Sequence, residues 1–229
     1  MKYTIMHIND RAKKNMDKNK NILKEFEYIN DIEYFNGNIG NGYDVLNDKG
    51  INLNVWNPYD GRTSLPLPGE YGVMVSTMNI WEYISKNKID KVLVLEDDVI
   101  LQDDFVEKLK KCINDLPSDF DILSLYYFSE QNSVDENTEI GSEYIHKSNN
   151  QYSAAQAILY SYAGAKKLLK LFKRKGYEYT NDCFIYRQAH EGLINAYSIK
   201  KEQTFFLKHD YKKIKSLIDP GNTRNTPDL

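Results

Sequence analysis

The chain is poor in the residues that would staple or anchor it. Among 229 residues there are only two cysteines, Cys112 and Cys183, which form neither a metal spacing nor a disulfide framework. Both read as core thiols. Four histidines with no paired spacing leave a two-metal phosphohydrolase short of ligands. No apolar run approaches the ~20 residues needed to cross a bilayer, so no transmembrane segment is expected. The opening stretch MKYTIMHINDRAKK lacks the apolar core and small-residue cleavage site of a signal peptide, and the expected location is cytoplasmic. Neither sign of charge dominates. Thirty Lys and Arg against 33 Asp and Glu give a net charge of -3 and no general attraction to a phosphate backbone. Nucleic acid is therefore not an expected partner. A lysine-rich stretch at 200–215 is compatible with peripheral contact to an anionic membrane or with a diphosphate, and equally with a solvated surface.

What is present argues for a packed globule. The hydrophobic fraction is 41% and there are 18 tyrosines, a composition that excludes disorder as the resting state. The length suits one α/β domain with a sizeable core. Without a repeat or linker, residues 1–229 read as a single domain with a C-terminal tail from about 211. Strands are expected at 3–8, 31–35, 91–95, 120–125 and 152–160. Helices are expected at about 12–28, through Val73, Thr77, Ile80, Trp81 and Ile84, after Asp103 or Asp104, and from Ala165 to a stop at Gly176. Glycines and prolines crowd 36–69, which reads as a long irregular loop beside the site. Alternating strands and helices imply an α/β fold, a mostly parallel sheet flanked by helices.

The most informative residues are Glu96, Asp97 and Asp98, directly after the apolar run at 92–95. Three adjacent carboxylates repel one another, and a hard divalent cation with oxygen ligands offsets that repulsion. Their place matters too, since ligands of open parallel sheets bind beyond the carboxyl ends of strands. The alternative is a solvated acidic turn leading into the next helix.

The stretch LPGEYGVMVSTMNIW at 67–81, followed by VLVLEDDV at 92–99, resembles the signature of glycosyltransferase family 25, which includes lipooligosaccharide sugar transferases and collagen galactosyltransferases. Three further features fit the pattern in order: Ile8-Asn9-Asp10-Arg11, Asp119-Phe120-Asp121-Ile122-Leu123, and Asn181-Asp182. At Val73 and Thr77 the chain departs from the pattern, which usually has cysteine and histidine there.

The resemblance implies a GT-A fold, a Rossmann-like nucleotide-binding sheet with an acidic metal motif. It also implies Mn²⁺ or Mg²⁺ as cofactor, a nucleotide-sugar donor (a UDP-sugar), and inverting transfer to a hydroxyl of a glycan or glycoconjugate. Glu96 and Asp98 would hold the metal. Asn9, Asp10 and Arg11 would line the nucleotide pocket with Glu96 and Asp97, Arg11 pairing with phosphate. Inversion needs a base for the acceptor hydroxyl. Asp182 matches the late acidic position, with an N-cap of the helix at 183–189 as its other reading, and Glu191 is a second candidate base. His209 stands late enough to be a further metal ligand, or is ordinary surface. A non-catalytic carbohydrate- or nucleotide-sugar-binding protein of the same fold is the alternative function.

Overall fold

The computed structural model describes residues 2–7, 13–24, 32–36, 41–57, 65–96, 99–126, 138–148, 155–203 and 206–207. The first half of the chain runs β1 (Lys2–His7), α1 (Lys13–Lys24), β2 (Ile32–Asn36), α2 (Gly42–Asp48), α3 (Pro68–Asn87), β3 (Lys91–Glu96), β4 (Ile100–Leu101) and α4 (Phe105–Asp115). The second half runs β5 (Ile122–Ser124), β6 (Ile145–Lys147), β7 (Ala157–Ser161), α5 (Tyr162–Lys175), α6 (Asn181–His190), β8 (Ala196–Ile199) and β9 (Phe206–Leu207).

Seven strands form one sheet in the order β2-β1-β3-β7-β5-β8-β6, while β4 and β9 pair separately. Strands β1, β2 and β3 are parallel to one another, and β5 is parallel to β8. Strand β7 runs antiparallel between β3 and β5, and β6 antiparallel to β8. Five strands therefore share one direction and two oppose it. The mostly parallel α/β sheet expected from the sequence is present, with an antiparallel strand inserted at its centre.

The alternating residues of β3 explain why the sheet is covered on both sides. Val92 and Val94 join Ile158, Tyr160, Ile122 and Ala196 in a core with α3, α5 and α6. Leu93 and Leu95 point the other way, into a core with Leu23 of α1 and Phe105, Leu109 and Cys112 of α4. Trp81, fully buried on α3, meets Phe172 and Tyr160 edge-on, both with ring centroids at 6.4 Å. Cys112 is a core thiol as expected, its pKa pushed up to about 12 by burial.

Several signature residues turn out to build helix ends and close contacts. Pro68 opens α3, where its missing N–H is no loss, and the Glu70 carboxylate accepts the Leu67 N–H at 2.7 Å. A Cβ on Gly42 would fall 2.6 Å from the backbone nitrogen of Gly72, so α2 sits directly on the first turn of α3. This corrects the reading of 36–69 as one irregular loop. Residues 42–48 are helical, and Leu46 and Ile51 are buried in the core. Gly42 serves close packing, which periodicity does not reveal.

Candidate active site

The chain passes from β1 to β2 on one side and then returns to add β3 on the other. The sheet's topological switch point thus lies between β1 and β3, with α1 on one face and α3 on the opposite one. In open sheets the crevice outside the carboxyl ends at such a point receives the ligand. The last residue of β3 is Glu96, paired with Met6, just before β1 ends at His7. The ends of β1 and β3, each followed in sequence by one of the two motifs, therefore lie side by side.

Both flanks of the acidic motif are anchored. The Glu96 N–H donates to the Gln156 carbonyl at 2.9 Å, and the Val99 N–H donates to the Glu96 carbonyl at 3.3 Å. Asn19, buried on α1, gives its amide N–H to the Val99 carbonyl and accepts the Leu101 N–H at 2.9 Å. Strand β4 then pairs with β9 in the register Ile100↔Leu207. The C-terminal segment is thereby brought back against the strand that leaves the carboxylates.

Glu96 shares the α3–α5–α6 face of the sheet with Val92 and Val94, by strand alternation. The β3–β7 register continues from Leu95↔Ala157 to set Gln156 beside Glu96. The Leu125 N–H donates to the Ala157 carbonyl at 2.9 Å, which carries Tyr126 to the other flank of Gln156. Glu96 and Gln156 thus form a polar row at the carboxyl edge, while the Tyr126 side chain packs against the α1–α4 core on the opposite face. One step below lies a second row, Ser124 opposite Ser198 and Ser198 opposite His146, all buried.

Asp182 lies in the first turn of α6, behind Thr180 at the cap. Its Oδ1 accepts the Thr180 hydroxyl at 3.1 Å and the Cys183 N–H at 2.9 Å. The helix thus starts two residues earlier than the sequence suggests, and Asp182 is not its N-cap. Burial raises the Asp182 pKa above the ordinary carboxylate value, against hydrogen bonds that lower it. The neighbouring Asn181 side chain is buried, and its Oδ1 has no hydrogen-bond partner. Tyr177, on the same loop, packs on Tyr71 in the first turn of α3 with ring centroids 4.9 Å apart. Because α3 delivers the chain to the start of β3, its first turn points toward the edge where β3 ends, and the approach to α6 shares that side.

Glu191 has a different environment. It pairs with Lys175 at 2.6 Å and Arg187 at 2.9 Å. These cations outweigh partial burial and hold its carboxyl below the usual range. A carboxylate so held is a poor proton acceptor. Asp121, from the Asp119-Phe120-Asp121 motif, lies at the opposite end of the sheet and ties β5 to α5 and to the approach of β8.

Asn9, Asp10, Arg11, Asp97, Asp98 and His209 lie outside the described residues. Among the described residues no three His, Cys, Asp or Glu side chains cluster as a metal site, and no helix is long and apolar enough to cross a membrane. The donor chemistry at the end of β3 fits a hard cation: the Glu96 carboxylate stands on a fixed backbone at the switch point, with carboxylates next in sequence. Sequence reading missed Gln156, and named Asn181 only as part of the family pattern. Strand alternation across β7 could have aligned Gln156 with Ile158 and Tyr160, but its pairing with Glu96 is a tertiary fact.

The family model of glycosyltransferase family 25 (LPS biosynthesis protein) matches residues 63–219. A segment of 74 residues is 34% identical to Probable inactive glycosyltransferase 25 family member 3 of Rattus norvegicus, covering 31% of this chain and 13% of that protein. Among solved structures, the galactosyltransferase LgtC in complex with donor and acceptor sugar analogs aligns with a TM-score of 0.43 and 13% identity, over 86% of this chain and 73% of that one. Mouse xyloside xylosyltransferase 1 in its apo form aligns with a TM-score of 0.42 and 10% identity, over 84% and 82% of the respective chains.

Proposed function

Because the chain belongs to glycosyltransferase family 25, we propose that it moves a sugar from a UDP-sugar to a hydroxyl of a glycan or glycoconjugate, with inversion. The observation that carries this reading is the anchored end of β3 at the switch point, where Glu96 leads into Asp97 and Asp98. Glu96 and Asp98 are the residues that would hold Mn²⁺ or Mg²⁺. When bound, such a cation supplies positive charge against the departing diphosphate.

His209 is a further ligand candidate, proposed from its place in the sequence. It follows Leu207, which pairs with Ile100, by two residues in the sequence, and Asp98 precedes Ile100 by two. Asn9, Asp10 and Arg11, following β1, would line the nucleotide side of the crevice, with Asp97 beside them.

Asp182 is the proposed base. As the acceptor oxygen attacks the anomeric carbon, its proton passes to the Asp182 carboxylate. The bond from the anomeric carbon to the diphosphate oxygen breaks, and the nucleoside diphosphate leaves with that electron pair. A raised pKa improves the match between this carboxylate and its task. Fixed hydrogen bonds from Thr180 and Cys183 limit the rotation of the group.

The experiment is a panel of nucleotide sugars with Mn²⁺ or Mg²⁺, read by metal-dependent thermal protection and by transfer or hydrolysis. Metal-dependent turnover of one donor supports the enzyme. Binding without turnover, whatever the acceptor offered, would favour the non-catalytic sugar-binding reading. Absence of both would reject the site.

A further inference from the structure

The polar row at the carboxyl edge contains a group with no explained role. Gln156 precedes β7, its carbonyl accepting the Glu96 N–H at 2.9 Å. Its side-chain Oε1 is sealed from solvent and has no hydrogen-bond partner. An acceptor in that condition disfavours the empty fold, and a bound donor group would offset the penalty. The next residues on its face of the strand, Ile158 and Tyr160, belong to the apolar core. Glu96 stands beside it on β3.

We propose that Gln156 is a specificity residue, its Oε1 accepting a hydrogen bond from one hydroxyl of the sugar being transferred. The inference rests on reading the end of β3 as the donor site. Its chemistry selects among the parts of a nucleotide sugar. An amide oxygen repels the phosphates, which offer only acceptors, and it is neutral, so it adds no charge beside Glu96. Sugar hydroxyls are donors, and the sugar is attached directly to the diphosphate that the β3 carboxylates would face. A site built around a buried acceptor discriminates strongly against an analogue lacking the matching hydroxyl, because the acceptor is then left unpaired.

The test uses the full chain, Gln156→Met as a near-isosteric variant without the amide, and Gln156→Ala as a second. UDP-glucose, UDP-galactose and UDP-N-acetylglucosamine are assayed with Mn²⁺, then the monodeoxy analogues of the best donor. Wild type should lose about 10-fold or more in kcat/KM on one deoxy analogue. Gln156→Met should lower turnover of the parent donor by a similar factor and no longer distinguish it from that analogue, the non-additivity of two groups in contact. Its melting temperature should equal or exceed that of wild type, since the unpaired acceptor is gone. Variants that discriminate among deoxy donors as wild type does would overturn the proposal, and so would an effect confined to the Mn²⁺ half-saturation. If Gln156→Met folds poorly, Gln156→Ala carries the same comparison. A wild type that neither binds nor turns over any donor rejects the donor site itself, and that result is visible before either variant is made.

Discussion

Lys167 reaches from α5 to the fully buried carboxylate of Asp121, with Nζ 2.7 Å from Oδ2. The same oxygen accepts the Asn195 N–H at 2.8 Å, so one side chain joins β5, α5 and the approach to β8.

Asp121→Ala should destabilise the protein by about 2 kcal/mol, since it leaves the Asn195 N–H unpaired, while half-exposed Lys167 is resolvated when its partner is removed. For a domain of this size that corresponds to a fall in Tm of about 4–8 °C. Asp121→Asn, which retains an acceptor for Asn195, should fall less. Thermal unfolding of the two variants checks the order. Equal loss in both would mean that the charge alone matters.

Gly164→Ala reverses the ordinary helix rule. In an exposed helix interior alanine is favoured over glycine by about 1 kcal/mol. Here a Cβ would lie within van der Waals overlap of the Asp121 backbone carbonyl, at 2.1 Å. The Asp121 carbonyl is held by the Ser161 N–H at 3.0 Å, so α5 must move away from the start of β5, and a loss of about 2–3 kcal/mol is expected. Denaturant titration measures it. A stabilised variant would disprove the close approach.

Asp182→Asn should lower turnover by roughly 10²-fold while leaving donor affinity nearly intact, the scale of a lost general base. Stability gives an independent reading. Because the folded pKa is raised, the stability this group allows is fully present below the unfolded value near 3.8 and declines as pH rises through the folded value. The asparagine variant lacks that decline. Its Tm relative to wild type should therefore increase across that window and then level off. The acid limb of wild-type kcat/KM should lie in the same window. Near-normal turnover in the variant would remove Asp182 as the base.

Asp98→Ala should abolish metal-dependent nucleotide binding with little loss of fold. Removing one of three adjacent carboxylates should leave the metal-free Tm equal or higher. Calorimetry with and without Mn²⁺ decides the matter, and unchanged affinity in the presence of metal would reject the assignment. His209→Ala should raise the Mn²⁺ concentration needed for half-saturation without changing the metal-free Tm.

The sequence alone determined the alternation of strands and helices, the fully buried run of β3, the inward face of α3 and the stop at Gly176. Each is a local property, set by side-chain period or by the conformations a single residue allows. It also set out the acidic motif and the family pattern. What it could not reach was whatever depends on strand partners. The antiparallel insertion of β7 between β3 and β5 follows from no local signal, yet it alone sets Gln156 beside Glu96. The helix at 42–48 was not legible because Gly42 is needed for its close contact with the first turn of α3, and such a contact leaves no period in the sequence. The family pattern ranked Asp182 ahead of Glu191 as the base, but the letters alone carried no physical reason for that order. Packing separated them. Burial raises the pKa of one at a helix start, while Lys175 and Arg187 lower that of the other, because the energy of a charge depends on the solvent and cations around it.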